Sequence, residues 1–169
     1  MNPQQQSRIR PEGIENLLAS ASYSFLRTDP HLGENIILLG FGGSYAYGTT
    51  VPGSDIDIRG IAPNLHRDIL LGKDFEQVID RPTDTVIYSL TKIIPLLTQC
   101  NPSAIELLGL LPDQYLRITP AGQMLLDNRH LFLSKLAYHS FSGYARNQLR
   151  RLNNKSDRTL EPDQREEHI

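Results

Sequence analysis

A chain of 169 residues is long enough for one domain with a substantial hydrophobic core and short for two. Its formal net charge of −2 excludes a general polyanion binder, so any contact with nucleic acid must come from a local basic patch. The single cysteine, Cys100, excludes an intrachain disulfide and a cysteine-based zinc site. The sequence has no apolar run near the ~20 residues that cross a bilayer and no signal-peptide core, so we expect a cytoplasmic protein without a membrane segment.

The N-terminal region divides into a tail and a helix. We expect residues 1–13 to form a loose polar tail. The apolar residues that follow recur at helical spacing, on one stripe formed by Ile14, Leu17, Leu18, Ala21 and Phe25. This stripe predicts a first helix that covers a sheet.

A buried strand followed by a glycine-rich turn comes next. The continuous apolar run over residues 36–39 is typical of a strand buried on both faces, and it leads directly into Gly40-Phe41-Gly42-Gly43-Ser44. Glycine adopts positive φ and lets the backbone approach a ligand closely. Gly42 and Gly43 can therefore point successive N–H groups at a phosphate, with the Ser44 hydroxyl as a further donor.

Paired carboxylates follow an irregular loop over residues 45–53. The segment Ser54-Asp55-Ile56-Asp57-Ile58-Arg59 alternates, which predicts a strand with Asp55, Asp57 and Arg59 on one face and the isoleucines in a core. Two neighbouring carboxylates repel each other unless a cation lies between them. The pair therefore predicts oxygen coordination of Mg²⁺ or Mn²⁺.

These motifs resemble those of a known superfamily. Gly43-Ser44, then ten residues, then Asp55-Ile56-Asp57 is similar to the signature of the DNA polymerase beta-like nucleotidyltransferases. The fuller strings, residues 43–48 and 54–60, resemble the predicted nucleotidyltransferases of an RNA-repair-pathway polymerase beta family. Asn101-Pro102 with Glu106-Leu107-Leu108 looks like the downstream motif of that family, so the resemblance extends from about residue 36 to the C-terminus.

The resemblance implies a third carboxylate on a neighbouring strand. Asp84 is the best match, because it opens the β-branched and aromatic run Thr85-Val86-Ile87-Tyr88. Three other acids, Asp74, Glu76 and Asp80, compete for the assignment, since residues 73–82 show no decisive periodicity. The implied metal ligands and catalytic carboxylates are Asp55, Asp57 and Asp84.

Each short motif has a plainer interpretation when it stands alone. A Gly-Gly-Ser segment is most often only a turn, and an Asp-x-Asp segment is usually a solvated strand edge or loop. Together, at this spacing and after a buried strand, the motifs favour a nucleotidyltransferase. Gly43, Ser44 and Arg59 are the candidate nucleotide-binding residues. Arg59 has two interpretations, a phosphate contact or a structural ion pair with an acidic neighbour.

The remainder of the chain predicts supporting helices. One follows Ser89, with Leu90, Ile93, Ile94 and Leu97 on one face and a kink or shortening expected at Pro95. A second is capped by Asn101, starts at Pro102 and stops at Gly109, with Ile105 and Leu108 pointing inward. In that helix Glu106 is either functional or merely exposed.

A second cap-and-proline signal, Thr119-Pro120, precedes a long final helix predicted from Phe132, Leu133, Leu136, Ser140 and Tyr144. The segment 129–158 has a local charge of +6, seven basic residues against Asp157: Arg129, Lys135, Arg146, Arg150, Arg151, Lys155 and Arg158. It is either a solvated helical face or a contact for an RNA or nucleotide acceptor. The ending after Leu160 reads as the start of another helix, which suggests that the helical region continues beyond this chain.

We expect an α/β nucleotidyltransferase fold with a small mixed sheet, helices mainly on one side and a helical C-terminal extension. Residues 14–125 would form the nucleotidyltransferase domain and residues 126–169 an extension, truncated here, packed on it. The expected reaction moves a nucleoside monophosphate from a nucleoside triphosphate to an acceptor hydroxyl, with an RNA end as candidate acceptor. The alternatives are a non-catalytic nucleotide-binding or regulatory module and a nucleotidyltransferase acting on a protein partner.

Overall fold

The computed structural model describes residues 11, 13–73 and 75–159, without the side chains of residues 155–159. Four features expected from the sequence lie outside what it describes: most of the 1–13 tail, Asp74, the side chains of the last basic residues, and the ending from Leu160 onward.

A mixed five-stranded sheet forms the centre of the fold. Its strands are β1 (Leu38–Phe41), β2 (Ile58–Ala62), β3 (Gln77–Asp80), β4 (Thr85–Ser89) and β5 (Tyr115–Ile118). The spatial order is β3-β4-β2-β1-β5. β2 and β4 are parallel, and the other neighbouring pairs are antiparallel.

The register places the end of β1 in line with the starts of β2 and β4. Phe41, the last residue of β1, pairs with Ile58, the first residue of β2. Ile58 also pairs with Thr85, the first residue of β4. The segments that lie just outside these ends are the Gly42-Gly43 turn, the Asp55–Asp57 loop and Asp84.

Helices cover both faces of the sheet. On one face, three of them, α5 (Leu90–Thr98), α6 (Pro102–Leu108) and α7 (Pro120–Asp127), supply Ile93, Leu97, Leu107 and Leu126 to one core cluster. On the opposite face the N-terminal segment supplies Tyr23, Leu26, Leu32 and Ile36 to a second cluster. The buried residues of both clusters are almost fully removed from water, and this burial of apolar surface is the main contribution to the stability of the fold.

The capping signals in the sequence are confirmed. The side chains of Ser89, Asn101 and Thr119 accept hydrogen bonds from the backbone N–H groups of Lys92, Ala104 and Gly122. The second and third of these caps are followed directly by proline, whose fixed φ suits the first helical position. α5 continues through Pro95 instead of ending there.

Other boundaries differ from those expected. The first helix is broken into α1 (Ile14–Ala19), a 3₁₀ turn (Ala21–Tyr23) and α2 (Phe25–Thr28), because the chain is extended at Ser20, where ψ is 168°. The final helix α8 (Leu136–Thr159) excludes Phe132 and Leu133, since residues 129–132 form a separate 3₁₀ turn. The remaining α-helices of the described residues are the short α3 (Gly43–Tyr47) and α4 (His66–Leu70), and two further 3₁₀ turns lie at Gly33–Asn35 and Pro112–Gln114.

In the part of the chain that the structure describes, every helix is too short or too polar to cross a membrane.

Candidate functional site

The glycine turn lies between β1 and the short helix α3. Gly42 has extended backbone geometry and Gly43 a φ of +54°, in the left-handed region that favours glycine. The Gly42 N–H donates to the Asp57 carbonyl over 2.9 Å, so the turn is tied directly to the carboxylate segment. The predicted turn is therefore present, but it contains fewer residues than expected, because Gly40 and Phe41 belong to β1.

Asp55 and Asp57 do not lie on the strand. β2 begins only at Ile58, and both aspartates belong to the loop that precedes it. Pairing stops there because β1 ends at Phe41 and β4 begins at Thr85, so that within the described part of the chain no strand lies beside residues 54–57. Asp55 is exposed, whereas the side chain of Asp57 is only 19% exposed.

Asp84 lies immediately before β4, next to the start of β2. Its carbonyl accepts a hydrogen bond from Ile58 N over 3.2 Å. Its φ is +42°, which is unusual for a residue other than glycine and is better tolerated by Asp and Asn than by most residues. Asp57 and Asp84 each lie one residue before a strand, and the parallel pairing of these two strands places the aspartates side by side.

Arg59 connects the two aspartates. Its Nη2 is 3.1 Å from Asp84 Oδ1 and 3.9 Å from Asp57 Oδ1. Its Nη1 donates to the carbonyl oxygens of Ile58 and Asp84. Of the two interpretations left open by the sequence, the ion pair is therefore present in the structure, and a phosphate contact stays a prediction.

The two carboxyl groups titrate as a pair. Burial, and then the neighbouring Asp84 carboxylate, raise the pKa of Asp57 to about 6, although Arg59 opposes the shift. The hydrogen bond from Asp57, together with Arg59, lowers the pKa of Asp84. The shifts have opposite signs because Asp57 is the more buried of the two, so a proton shared by the pair favours Asp57 over Asp84.

These residues open onto a cavity of about 820 Å³. One wall carries Ser44, Asp55, Asp57 and Asp84, and another is formed by Leu17, Ser22 and Tyr23 from the N-terminal segment and by Arg81, Pro82 and Thr83 from the turn between β3 and β4. The cavity is large enough for a nucleotide-sized molecule.

The donor chemistry at the cavity suits Mg²⁺ or Mn²⁺ only in part. Among the described residues, no three His, Cys, Asp or Glu side chains converge closely enough to hold a metal ion. Mg²⁺ is, however, commonly bound through one or two carboxylates together with phosphate oxygens and water. Asp57 and Asp84 supply two such carboxylates, and the proximity of Asp84 contributes to the raised pKa of Asp57.

Sequence reasoning missed a residue that holds α3 in place. Gln114 is 2% exposed, and its Nε2 donates to the carbonyl oxygens of Tyr45 and Ala46 over 2.8 and 3.0 Å. Its Oε1 accepts from Leu111 N over 2.7 Å. No local pattern identifies such a residue, because its partners lie 68 and 69 residues away in the chain.

A second link joins the two family-like motifs. The Tyr47 hydroxyl donates to Glu106 Oε2 over 2.9 Å, so the string that begins at Gly43 is bonded to the helix that begins at Pro102. Both links attach the C-terminal end of α3 to the segment 106–114. The downstream motif therefore supports the glycine turn structurally.

Comparison with known proteins agrees with this geometry. A family model described as the RNA repair pathway DNA polymerase beta family matches residues 16–162. The chain belongs to that family. The family match and the mixed sheet together confirm the expected fold class.

One similar protein comes from Enterobacteria phage T4, where it is described as an "Uncharacterized 38.9 kDa protein in nrdC-mobD intergenic region". The two sequences are 29% identical over 119 residues, which cover 63% of this chain and 35% of the phage protein. The chain thus spans about a third of the length of that relative. No solved structure matches the chain.

Proposed function

We propose that this protein is a metal-dependent nucleotidyltransferase that moves a nucleoside monophosphate from a nucleoside triphosphate to an acceptor hydroxyl. One observation carries the proposal. Ser44, which follows the glycine turn, lines a single cavity of about 820 Å³ together with Asp57 and Asp84, although the three residues come from separate chain segments. A turn that can donate N–H groups beside paired carboxylates suits a phosphate with its cation.

The chain's own residues have distinct roles in this proposal. Gly43 and Ser44 would bind the triphosphate through backbone N–H groups and the Ser44 hydroxyl. Asp57 and Asp84, with Asp55 from the same wall of the cavity, would hold Mg²⁺ or Mn²⁺. When bound, such an ion neutralises charge on the phosphate oxygens and aligns the phosphoryl group.

The chemical step is a substitution at the α-phosphorus. The acceptor hydroxyl oxygen forms a bond to this phosphorus, and the bond to the departing pyrophosphate oxygen breaks. The hydroxyl proton passes to Asp84, whose exposed carboxylate lines the cavity. A bound triphosphate would also offer Arg59 a second anionic partner, so Arg59 stays a candidate nucleotide contact.

An RNA end is the acceptor favoured by the charge of α8. Arg146, Arg150 and Arg151 are exposed on this helix, and their spacing places the first two on one face. A protein hydroxyl is the alternative acceptor, and a nucleotide-binding module without turnover is the alternative function.

The test uses each labelled nucleoside triphosphate with Mg²⁺ or Mn²⁺ and a panel of RNA ends and proteins. Transfer to RNA, with release of pyrophosphate, is the expected result, and mass analysis of the product identifies a protein acceptor if there is one. Asp57→Asn with Asp84→Asn should remove transfer, whereas Asp80→Asn, a nearby carboxylate bonded to Thr83, should retain it.

Calorimetry addresses the metal site separately. We expect nucleotide and divalent cation to bind with mutual support, because each supplies charge that the other lacks. The wild type and the variant with Asp57→Asn and Asp84→Asn are each measured with and without the cation. If nucleotide affinity is equal in all four cases, the metal is not part of the site.

A further inference from the structure

Arg59 occupies a specific position in the carboxylate cluster. The Arg59 side chain is largely buried, with 22% of its surface exposed. It lies against Gly42, where an added Cβ would be 3.1 Å from Arg59 Cγ and 3.7 Å from Arg59 Nε. Through Nη1 it is anchored to two backbone carbonyls, and through Nη2 it faces both Asp84 and Asp57. The guanidinium is thus fixed in place beside both acids.

The charges at this site explain why a fixed cation is needed. Asp55, Asp57 and Asp84 all line the same cavity. Three acidic groups around one cavity wall repel one another unless a positive charge lies close by. Arg59 provides such a charge at 3.1 Å from one carboxylate and 3.9 Å from the other.

We infer that Arg59 is the internal counter-ion of the Asp57–Asp84 pair: it holds the two carboxylates together in the metal-free protein and opposes the entry of a divalent cation. The inference rests on the proposed function, because it takes these carboxylates as the metal ligands. Arg59 is a positioning residue in this account, and its effect is on metal affinity and on the stability of the metal-free site.

The consequence distinguishes this role from a purely structural one. If Arg59 only supported the fold, its removal would weaken the metal-free protein and would leave metal affinity unchanged or lower it, since Asp84 would lose a partner that orients it. If Arg59 is a counter-ion, its removal lowers the stability of the metal-free protein and increases metal affinity. The two effects then have opposite signs.

The experiment measures Mn²⁺ binding to the full chain without nucleotide, by calorimetry and by the electron paramagnetic resonance signal of free Mn²⁺. Arg59→Gln removes the charge, and Arg59→Lys is the matched control that keeps it. We expect Arg59→Gln to bind Mn²⁺ roughly tenfold more tightly or better, and Arg59→Lys to stay close to the wild type. Without metal, Arg59→Gln should melt at a lower temperature, and saturating Mn²⁺ should raise its Tm by more than that of the wild type.

Unchanged or weaker Mn²⁺ binding by Arg59→Gln, beside normal binding by the wild type, overturns the counter-ion role and leaves the proposed function standing. Absence of Mn²⁺ binding in both proteins overturns the inference and the metal site together. If Arg59→Gln does not fold, the charge-balanced variant with Arg59→Gln and Asp84→Asn is compared with Asp84→Asn alone. The charge-balanced variant should bind Mn²⁺ more tightly, and equal or weaker binding contradicts the inference.

Discussion

Gly43 packs directly against the Asp57 carboxylate: a Cβ added to Gly43 would overlap Asp57 Oδ2 and lie 2.9 Å from its Cγ. Real Cβ atoms do not approach other atoms so closely, so a side chain at residue 43 must displace the carboxylate. The glycine of the turn and the aspartate that follows the loop therefore form one structural unit, although fourteen positions separate their numbers.

This contact predicts the effect of Gly43→Ala. The variant should lose stability by about 1–2 kcal/mol, because φ at residue 43 is +54° and alanine is strained there. It should also lose metal-dependent nucleotide transfer by on the order of 10²-fold, because Asp57 is pushed out of position. Urea denaturation measures the first effect and single-turnover transfer the second.

The matched control is Gly48→Ala, at the other end of α3. Gly48 has a φ of +66° with no atom within 4 Å of its added Cβ, so it carries the same backbone strain without the contact. It should lose similar stability and retain transfer. Equal losses of transfer in both variants would show that α3 as a whole, and not the Gly43–Asp57 contact, is what matters.

Asp84→Asn tests the carboxylate that immediately precedes β4. Asparagine tolerates the left-handed backbone nearly as well as aspartate, so the φ of +42° should persist and the fold with it. Loss of the proton acceptor should slow single-turnover transfer roughly 10²- to 10⁴-fold while nucleotide binding largely remains.

Asp80→Asn is the control for that variant, since Asp80 ends β3 and its Oδ2 accepts two hydrogen bonds from Thr83. Thermal melting of both proteins separates damage to the fold from damage to the chemistry. If Asp80→Asn abolishes transfer and Asp84→Asn retains it, the assignment of the third carboxylate is wrong.

The strands around Asp80 and Asp84 illustrate which secondary structure a local sequence pattern can predict. The β-branched run after Asp84 predicted β4 and its alignment, because a buried strand has a distinctive composition. β3 and β5 were not predicted: each has four residues, lies at an edge of the sheet and is only partly buried, so neither has a continuous apolar run. The same weakness of pattern left Asp80 and Glu76 as competitors for the third site.

The carboxylate loop shows a different limit. Alternation over residues 54–59 was a correct guide to burial, since Ile58 is fully buried and Ile56 packs on the same cluster. It was a wrong guide to secondary structure, because a strand needs a neighbour and none extends beside Asp55 or Asp57. Tertiary pairing, which no local pattern contains, decides where a strand begins.

Gln114 provides a prediction about the support of α3. Gln114→Met keeps the volume of the side chain but leaves two buried carbonyls and one N–H without their partner, at about 1–3 kcal/mol for each group that water cannot reach. We expect a fall in the free energy of unfolding and faster hydrogen exchange at Gly48 and Thr49, whose N–H groups close the end of α3 on the Ser44 carbonyl.

Gln123→Met is the control, because Gln123 makes an exposed hydrogen bond to Asp127 within α7. Mass spectrometry resolves exchange in the peptide that contains α3. Unchanged exchange there in Gln114→Met would mean that the turn is held without the glutamine.

Tyr115 predicts a loss of stability in alkali. Its buried hydroxyl donates to the Leu107 carbonyl over 2.9 Å, and burial raises its pKa from 10.0 to about 12. The contribution is therefore complete below pH 10 and is lost as the pH rises through 12. Tyr115→Phe should be less stable by about 0.5–1.5 kcal/mol at neutral pH, and its difference from the wild type should shrink above pH 10. Urea denaturation from pH 8 to 12 measures both, and a constant difference would contradict the assignment.

The last prediction concerns the basic face of α8. Arg146→Glu with Arg150→Glu should weaken binding to single-stranded RNA and reduce the dependence of its affinity on salt, because each lost phosphate contact lowers the salt slope by about 0.7. Both side chains are exposed, so the fold should survive. The control changes net charge equally elsewhere, by Arg67→Glu with Lys73→Glu, two exposed residues near α4. Fluorescence anisotropy at several salt concentrations provides the comparison. Specific weakening by the α8 pair assigns the acceptor to this helix; equal effects of both pairs mean that only net charge matters, and no effect of either means that α8 is simply a solvated surface.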